Sequence, residues 1–265
     1  MYRNYLLERI NEGRLVIGMF FVSANPTALE VIGKAGLDWV VIDMEHGPLD
    51  PLDQRPLMEL VNVARAYKLT PIVRVPENNP VHIGKVLDAG AQGVVVPHVT
   101  DKESAMQAVA ATRFPPRGIR GAGPLAASNQ YVGNPGEYFG TDPDIVVLTS
   151  MEDQASIDNF DEISDVEGIS WFRAGAWDLA LSMGYDDPGH PAVQEARKHI
   201  YDTCRRKGLR VAESAHWPEK MQMHLEAGIR IFTVSDEPHM FYNACKAQVD
   251  GARAAVKGIE KTSKK

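Results

Sequence analysis

The chain reads as an α/β protein of the (β/α)8 TIM-barrel class, and three features predict it. Apolar β-forming runs alternate with amphipathic helical stretches about eight times along the sequence. The length, 265 residues, suits one such barrel. Several apolar runs also break abruptly into acids, an arginine or an imidazole, and α/β enzymes present their chemistry at the carboxyl ends of buried strands in this way.

Taken in order, residues 2–12 (YRNYLLERINE) predict a short amphipathic helix closing one end of the barrel. LVIGMFF (15–21) is a strand, and residues 25–36 form a helix capped by Asn25, with Pro26 at its first position and Gly36 as its stop. WVVID leads into a helix over 51–66, PIVRV into one over 80–89, and GVVVP into one over 101–112. IVVLTS precedes a helix near 153–164, and ISWFRA one near 190–207. LRVAES pairs with a helix near 217–227, and IRIFTVS with one near 237–256.

A doubly wound open sheet is the competing architecture. It carries fewer units and a phosphate-binding glycine loop after its first strand, whereas the segment here is FFVSANPTA. No Ser/Gly/Pro-rich linker interrupts the sequence, so residues 1–265 read as one domain. The stretch 113–140 (RFPPRGIRGAGPLAASNQYVGNPGEYFG) is too long for a plain connection, and it is expected to leave the barrel on the mouth side.

Composition narrows the function classes. A hydrophobic share of 44% supports a sizeable core, and a net charge of −7 argues against nucleic acid, which needs a basic stripe. The basic tail KGIEKTSKK reads as a solvated terminus. No apolar run approaches a membrane span, and charges interrupt the N-terminal apolar residues, unlike a signal peptide. Cys204 and Cys245 have neither disulfide-scaffold nor zinc spacing. The expectation is a cytoplasmic enzyme with small-molecule partners.

Glu152 and Asp178 each lie just past a predicted strand, and the two strands are consecutive. In a barrel both carboxylates can converge on a hard cation such as Mg²⁺ or Mn²⁺. Ordinary helix N-terminal acids, or a catalytic pair without metal, are the alternatives. His46, in the segment EHGP, offers a general base, or a structural imidazole. Arg74 ends an otherwise apolar strand, so its permanent charge needs an anion: substrate, Asp43 or Glu45. Asp88, near a helix end, would ordinarily be a surface acid, and His98, Glu213, His216 and Asp236 are weaker candidates at strand exits.

WVVIDMEHGP, PIVRV, VLDAGAQGVVVPHV, ATRFPPRGIRGAG and GAWDLALSMGYDDPGHPAV, taken in order, together resemble the HpcH/HpaI aldolase family. The resemblance runs from about Leu15 to about Ala254. It implies a (β/α)8 barrel that assembles as a homohexamer built from dimers, with the last helix exchanged between partners. It also implies cleavage of 2-oxo-4-hydroxy acids to pyruvate and an aldehyde with a divalent metal (Mg²⁺, Mn²⁺ or Co²⁺) rather than a Schiff-base lysine. By position, His46 resembles the family's proton acceptor and Asp88 the acid that raises its basicity. Arg74 resembles the arginine facing the developing enolate oxygen, and Glu152 and Asp178 the metal ligands.

Two positions depart from the family pattern. Ser150 stands where a glutamine usually contacts the oxo acid, and Trp177 where a small residue offers its backbone amide to the substrate carboxylate. These departures leave open a decarboxylase of oxaloacetate-type acids, or a catalytically quiet acid-binding barrel.

Overall fold

The computed structural model describes residues 3–140, 144–214 and 218–262. The helix α1 (Tyr5–Asn11) comes first, followed by β1 (Val16–Phe21), α2 (Pro26–Lys34), β2 (Trp39–Asp43) and α3 (Gln54–Ala66). Next are β3 (Thr70–Arg74), α4 (Pro80–Asp88), β4 (Gly93–Val96), α5 (Lys102–Thr112), the short α6 (Pro135–Phe139) and β5 (Val146–Met151). The remainder is α7 (Gln154–Asp158), α8 (Phe160–Ile163), β6 (Trp171–Ala174), α9 (Ala176–Ser182), α10 (Pro191–Lys207), β7 (Val211–Ser214), α11 (Pro218–Glu226), β8 (Ile231–Asp236) and α12 (Glu237–Thr262). The eight strands are parallel and close on themselves in sequence order, β8 pairing with β1, so the expected (β/α)8 barrel is the architecture.

Local chemistry sets the element ends. Asn25 accepts a hydrogen bond from the Ala28 amide at 3.1 Å, with Pro26 opening α2, and Asp101 and Ser104 form a reciprocal cap on α5. The predicted helix over 153–164 is two short helices meeting at Asn159. The sequence reading did not anticipate α9, whose seven residues are too few for helical periodicity to register.

Alternation along the strands sorts side chains into two cores. Val16, Val41, Ile72, Val95, Leu148, Ala212 and Ile231 fill the lumen with Trp39 and Trp171, whose indoles meet edge-on at 6.2 Å. Leu6 and Ile10 of α1 join this cluster and plug the amino-terminal end, as the first amphipathic stretch predicted. Gly18 is required there, because any side chain would collide with the Trp39 indole. Val40, Ile42, Val73, Val94, Met151 and Phe172 point outward and pack with the helices in the second, larger cluster.

One expectation is overturned. The 113–140 segment joins the C-terminal end of α5 to the start of β5, so it lies at the end of the barrel opposite the strand carboxyl termini, not at the mouth. In a βα repeat each helix runs back down the wall, and whatever follows it emerges at the bottom. The segment is held by Arg120, whose Nη2 donates to Asp88 Oδ1 at 2.9 Å and to the Tyr138 hydroxyl at 2.8 Å. The Ser128 hydroxyl completes the knot, 2.9 Å from the Tyr138 hydroxyl. No helix among the described residues is long and apolar enough to cross a membrane.

Candidate active site

The carboxyl ends of β2 to β6 converge on one charged mouth. Asp43, the last residue of β2, points into the lumen, and its Oδ1 accepts the backbone amides of Glu45 (3.0 Å) and His46 (3.3 Å), which fixes the loop that follows. Arg74, the last residue of β3 and register partner of Asp43, grips that carboxylate with two donors, Nε at 2.9 Å and Nη2 at 2.6 Å. Its third nitrogen, Nη1, reaches Glu45 at 3.0 Å. The ion-pair alternative read from the sequence therefore holds for Arg74 with both acids.

Burial opposes the charge on Asp43, but the Arg74 guanidinium and the two amides outweigh it and hold the carboxyl below its ordinary range. Burial likewise opposes the Arg74 cation, and Asp43, Glu45 and Glu152 more than compensate, raising its pKa. The pair is a fixed, fully charged wall of the mouth.

Glu152 follows β5 and is 3% exposed. Its Oε1 accepts the His98 amide at 3.0 Å, an approach made possible by the left-handed backbone of His98 (φ 52°). Burial first, and the nearby Glu45 charge second, raise the Glu152 pKa against the opposing influence of the His98 amide and Arg173. The His98 imidazole contacts Asp153 through Nδ1 at 3.0 Å and stands 3.8 Å from Glu45 Oε1 through Nε2. Burial lowers the His98 pKa, but the hydrogen bond to Asp153 and the surrounding acids raise it overall. Glu45, His98 and Glu152 each offer a ligand atom within 4.8 Å of the other two.

Asp178 sits in the first turn of α9, on the other side of Gly175. A Cβ at 175 would stand 2.9 Å from Glu152 Oε2 and 3.8 Å from Asp178 Oδ2, so the glycine leaves open the space between the two carboxylates. Trp177, beside it, is 63% exposed. Ser150 is fully buried on β5, and its hydroxyl has no hydrogen-bond partner among the described residues.

The remaining candidates scatter. His46 is largely exposed, its Nε2 3.7 Å from Glu45 Oε2. Asp88 ends α4 at the bottom of the wall, paired with Arg120. Among the described residues His46 and Asp88 make no hydrogen bond or ion pair with each other. Glu213 points outward from β7 to Arg197 and Tyr201 of α10, and is therefore not at the mouth. Asp236 binds His239 at 2.8 Å, and His216 lies outside the described residues.

The sequence reading names Glu45 only as an ion-pair partner for Arg74, and misses its place beside His98 and Glu152; Glu45 follows Asp43 by two, so strand periodicity carried past the end of β2 aims both at the same space. It also misses Arg173, an arginine in the otherwise apolar strand WFRA, the same signal that singled out Arg74.

The HpcH/HpaI aldolase/citrate lyase family matches residues 16–244. A 5-keto-4-deoxy-D-glucarate aldolase from Escherichia coli is 37% identical over 237 residues, covering 88% of this chain and 91% of its own, and one from Citrobacter koseri is 35% identical over 239 residues, covering 89% and 91%. Among solved structures, an HpcH/HpaI aldolase/citrate lyase family protein from Burkholderia cenocepacia superposes with a TM-score of 0.87 at 28% identity, covering 95% of this chain and all of its own. The citrate synthase SbnG does so with 0.87 at 29%, covering 96% and 99%. With the closed barrel and the charged mouth, these matches show that the chain belongs to the HpcH/HpaI aldolase/citrate lyase family and is a carbon–carbon lyase of the aldolase class.

Proposed function

We propose that the protein cleaves a 2-oxo-4-hydroxy acid of the sugar-acid type to pyruvate, or a close relative, and an aldehyde, with a divalent cation held at the mouth. The observation that carries this reading is the convergence of Glu45, His98 and Glu152 within 4.8 Å, with Asp178 across Gly175. Several hard oxygen donors and one imidazole, gathered where burial and a neighbouring acid raise the Glu152 pKa, suit Mg²⁺ or Mn²⁺. Glu152 and Asp178 would hold the cation, and Glu45 offers a further oxygen. When bound, the cation would supply positive charge where the 2-oxo group gains electron density.

The chain's own residues account for the rest. Retro-aldol cleavage breaks the C3–C4 bond as the C4 hydroxyl loses its proton and negative charge develops on the C2 oxygen. Arg74 is anchored by Asp43 and Glu45, so its cationic face is presented without any reorganisation, and such a charge favours the transition state over the ground state. His46, exposed at the mouth, would take the hydroxyl proton.

Asp88 lies at the far end of the wall from His46 and meets it only if a second subunit brings the two together. Two features favour such an assembly. Along α12, Met240, Phe241, Tyr242, Val249 and Val256 are exposed, and on the 113–140 segment Leu125 and Val132 are too. We assign α12 to contacts with neighbouring subunits of a homo-oligomer.

The test is pyruvate release, coupled to lactate dehydrogenase, from a panel of 2-oxo-4-hydroxy acids with and without Mn²⁺, with the second product identified. Aldehyde equal to pyruvate supports cleavage. Carbon dioxide without aldehyde would replace this reading with decarboxylation.

A further inference from the structure

Arg173 lies on β6, and its guanidinium carbon stands 4.8 Å from the centre of the Phe20 ring on β1. Strands β7 and β8 separate β6 from β1 in the sheet, so this contact crosses the lumen. The Arg74 guanidinium approaches the same ring from β3, at 5.1 Å. Below them, Trp39 and Trp171 close the lumen, so Phe20, Arg74 and Arg173 form the floor of the mouth.

The two arginines are not equivalent. Arg74 already holds two carboxylates, Asp43 and Glu45. Arg173 makes no hydrogen bond or ion pair among the described residues, and its Nε is shielded from solvent without a partner. The residue as a whole is half-buried, so the rest of the guanidinium can be reached from the mouth. Its register partner on β5 is Ser150, whose buried hydroxyl is also unpartnered. Burial, and then the Arg74 charge, push the Arg173 pKa below the ordinary arginine value, against the weaker opposing pull of the Glu152, Glu213 and Asp178 charges. An unpaired cation in such surroundings is costly, and an arriving anion relieves the cost.

We propose that Arg173 is a substrate-recognition residue: its guanidinium, with the Ser150 hydroxyl beside it, donates hydrogen bonds to a carboxylate of the bound 2-oxo acid from the floor of the barrel. The inference rests on the lyase reading above and adds a residue to that site. A planar fork of N–H donors suits a carboxylate better than a neutral oxygen does.

The experiment follows exchange of the C3 protons of pyruvate for deuterium in Mn²⁺-loaded enzyme, which reads the oxo-acid half-reaction without an aldehyde. Pyruvate is compared with methyl pyruvate, which lacks the carboxylate charge, in wild type, Arg173→Met, Arg173→Gln and Arg173→Lys. Circular dichroism and Mn²⁺ titration identify which variants are folded and loaded. The wild-type preference for pyruvate should fall by about 10- to 100-fold in Arg173→Met or Arg173→Gln, the size of a lost charged hydrogen bond, and recover in part in Arg173→Lys. If Arg173 only balances the charge of the neighbouring acids, both compounds slow equally and the preference stays, which overturns the inference alone. No exchange and no cleavage in the wild type would remove the lyase reading and Arg173's role with it.

Discussion

The Arg74 guanidinium and the Asp43 carboxylate meet in a two-point fork at the ends of β3 and β2, Nε to Oδ1 at 2.9 Å and Nη2 to Oδ2 at 2.6 Å. The same Oδ1 collects the amides of Glu45 and His46. One buried carboxylate thus orients an arginine, an acid and an imidazole. Asp43→Asn removes the counter-charge while preserving shape. Breaking a buried pair by removing one partner costs about 3–5 kcal/mol, and the amide should recover part of it. Urea unfolding should show a loss of about 2–3 kcal/mol, with turnover reduced at least about 100-fold because Arg74 is no longer aimed.

The cation site separates into residues with distinct weights. Glu152 is common to every arrangement of donors at the mouth, whereas Asp178 and Glu45 flank it from two sides. Mn²⁺ titration calorimetry should show no measurable binding for Glu152→Gln and at least about 10-fold weaker binding for Asp178→Asn, the scale expected for ligand or near-ligand loss. Glu45→Gln should weaken binding less than Asp178→Asn and also disturb Arg74, visible as lower turnover at saturating Mn²⁺. The reverse order would make Glu45 the principal second ligand.

His46→Ala should lower the cleavage rate by about 100-fold to 10,000-fold, the usual contribution of a positioned base. Its side chain is exposed, so stability should change by less than about 0.5 kcal/mol. Mn²⁺ affinity should also stay within about twofold, since ligand or near-ligand losses cost far more. Loss of Mn²⁺ binding in this variant would move His46 into the cation site.

Cys204, inaccessible to solvent on α10, has its thiol pKa pushed up to about 12 by burial. The native state holds this proton where an unfolded thiol would release it, so the stabilisation is intact below about pH 9 and is lost as the pH rises toward about 12, by up to about 1.4 kcal/mol per pH unit. In a Cys245→Ser background, a thiol reagent at pH 8 should find no reactive group in the folded protein and one after denaturation. Rapid labelling of the folded protein would show that α10 opens.

The barrel is legible because its signals are local and repeated: strand-type runs alternating with amphipathic stretches, and a helix start marked by the Asn25 cap with Pro26 behind it. The polar strand ends were legible for the same reason, and they named Arg74, Glu152 and Asp178. What the sequence hid depends on direction and distance. The family resemblance pairs Asp88 with His46, but the two stand at opposite ends of the wall, since α4 runs back down from the mouth. The 113–140 segment was placed at the mouth from its length and glycine content, although the alternation of strand and helix already put it at the bottom. Glu45 is legible as a partner for Arg74 but not as a cation donor, because that role depends on its distance to His98 and Glu152, and Arg173 is hidden inside an aromatic run.

Anomalous diffraction from crystals soaked in Mn²⁺ tests the central claim most directly. A single strong peak should lie between Glu152 and Asp178, about 2.0–2.3 Å from an oxygen of Glu152, and should vanish in Glu152→Gln crystals. A strong peak elsewhere, or a mouth that stays empty while the wild type cleaves its substrate at full rate after chelation, would contradict the account.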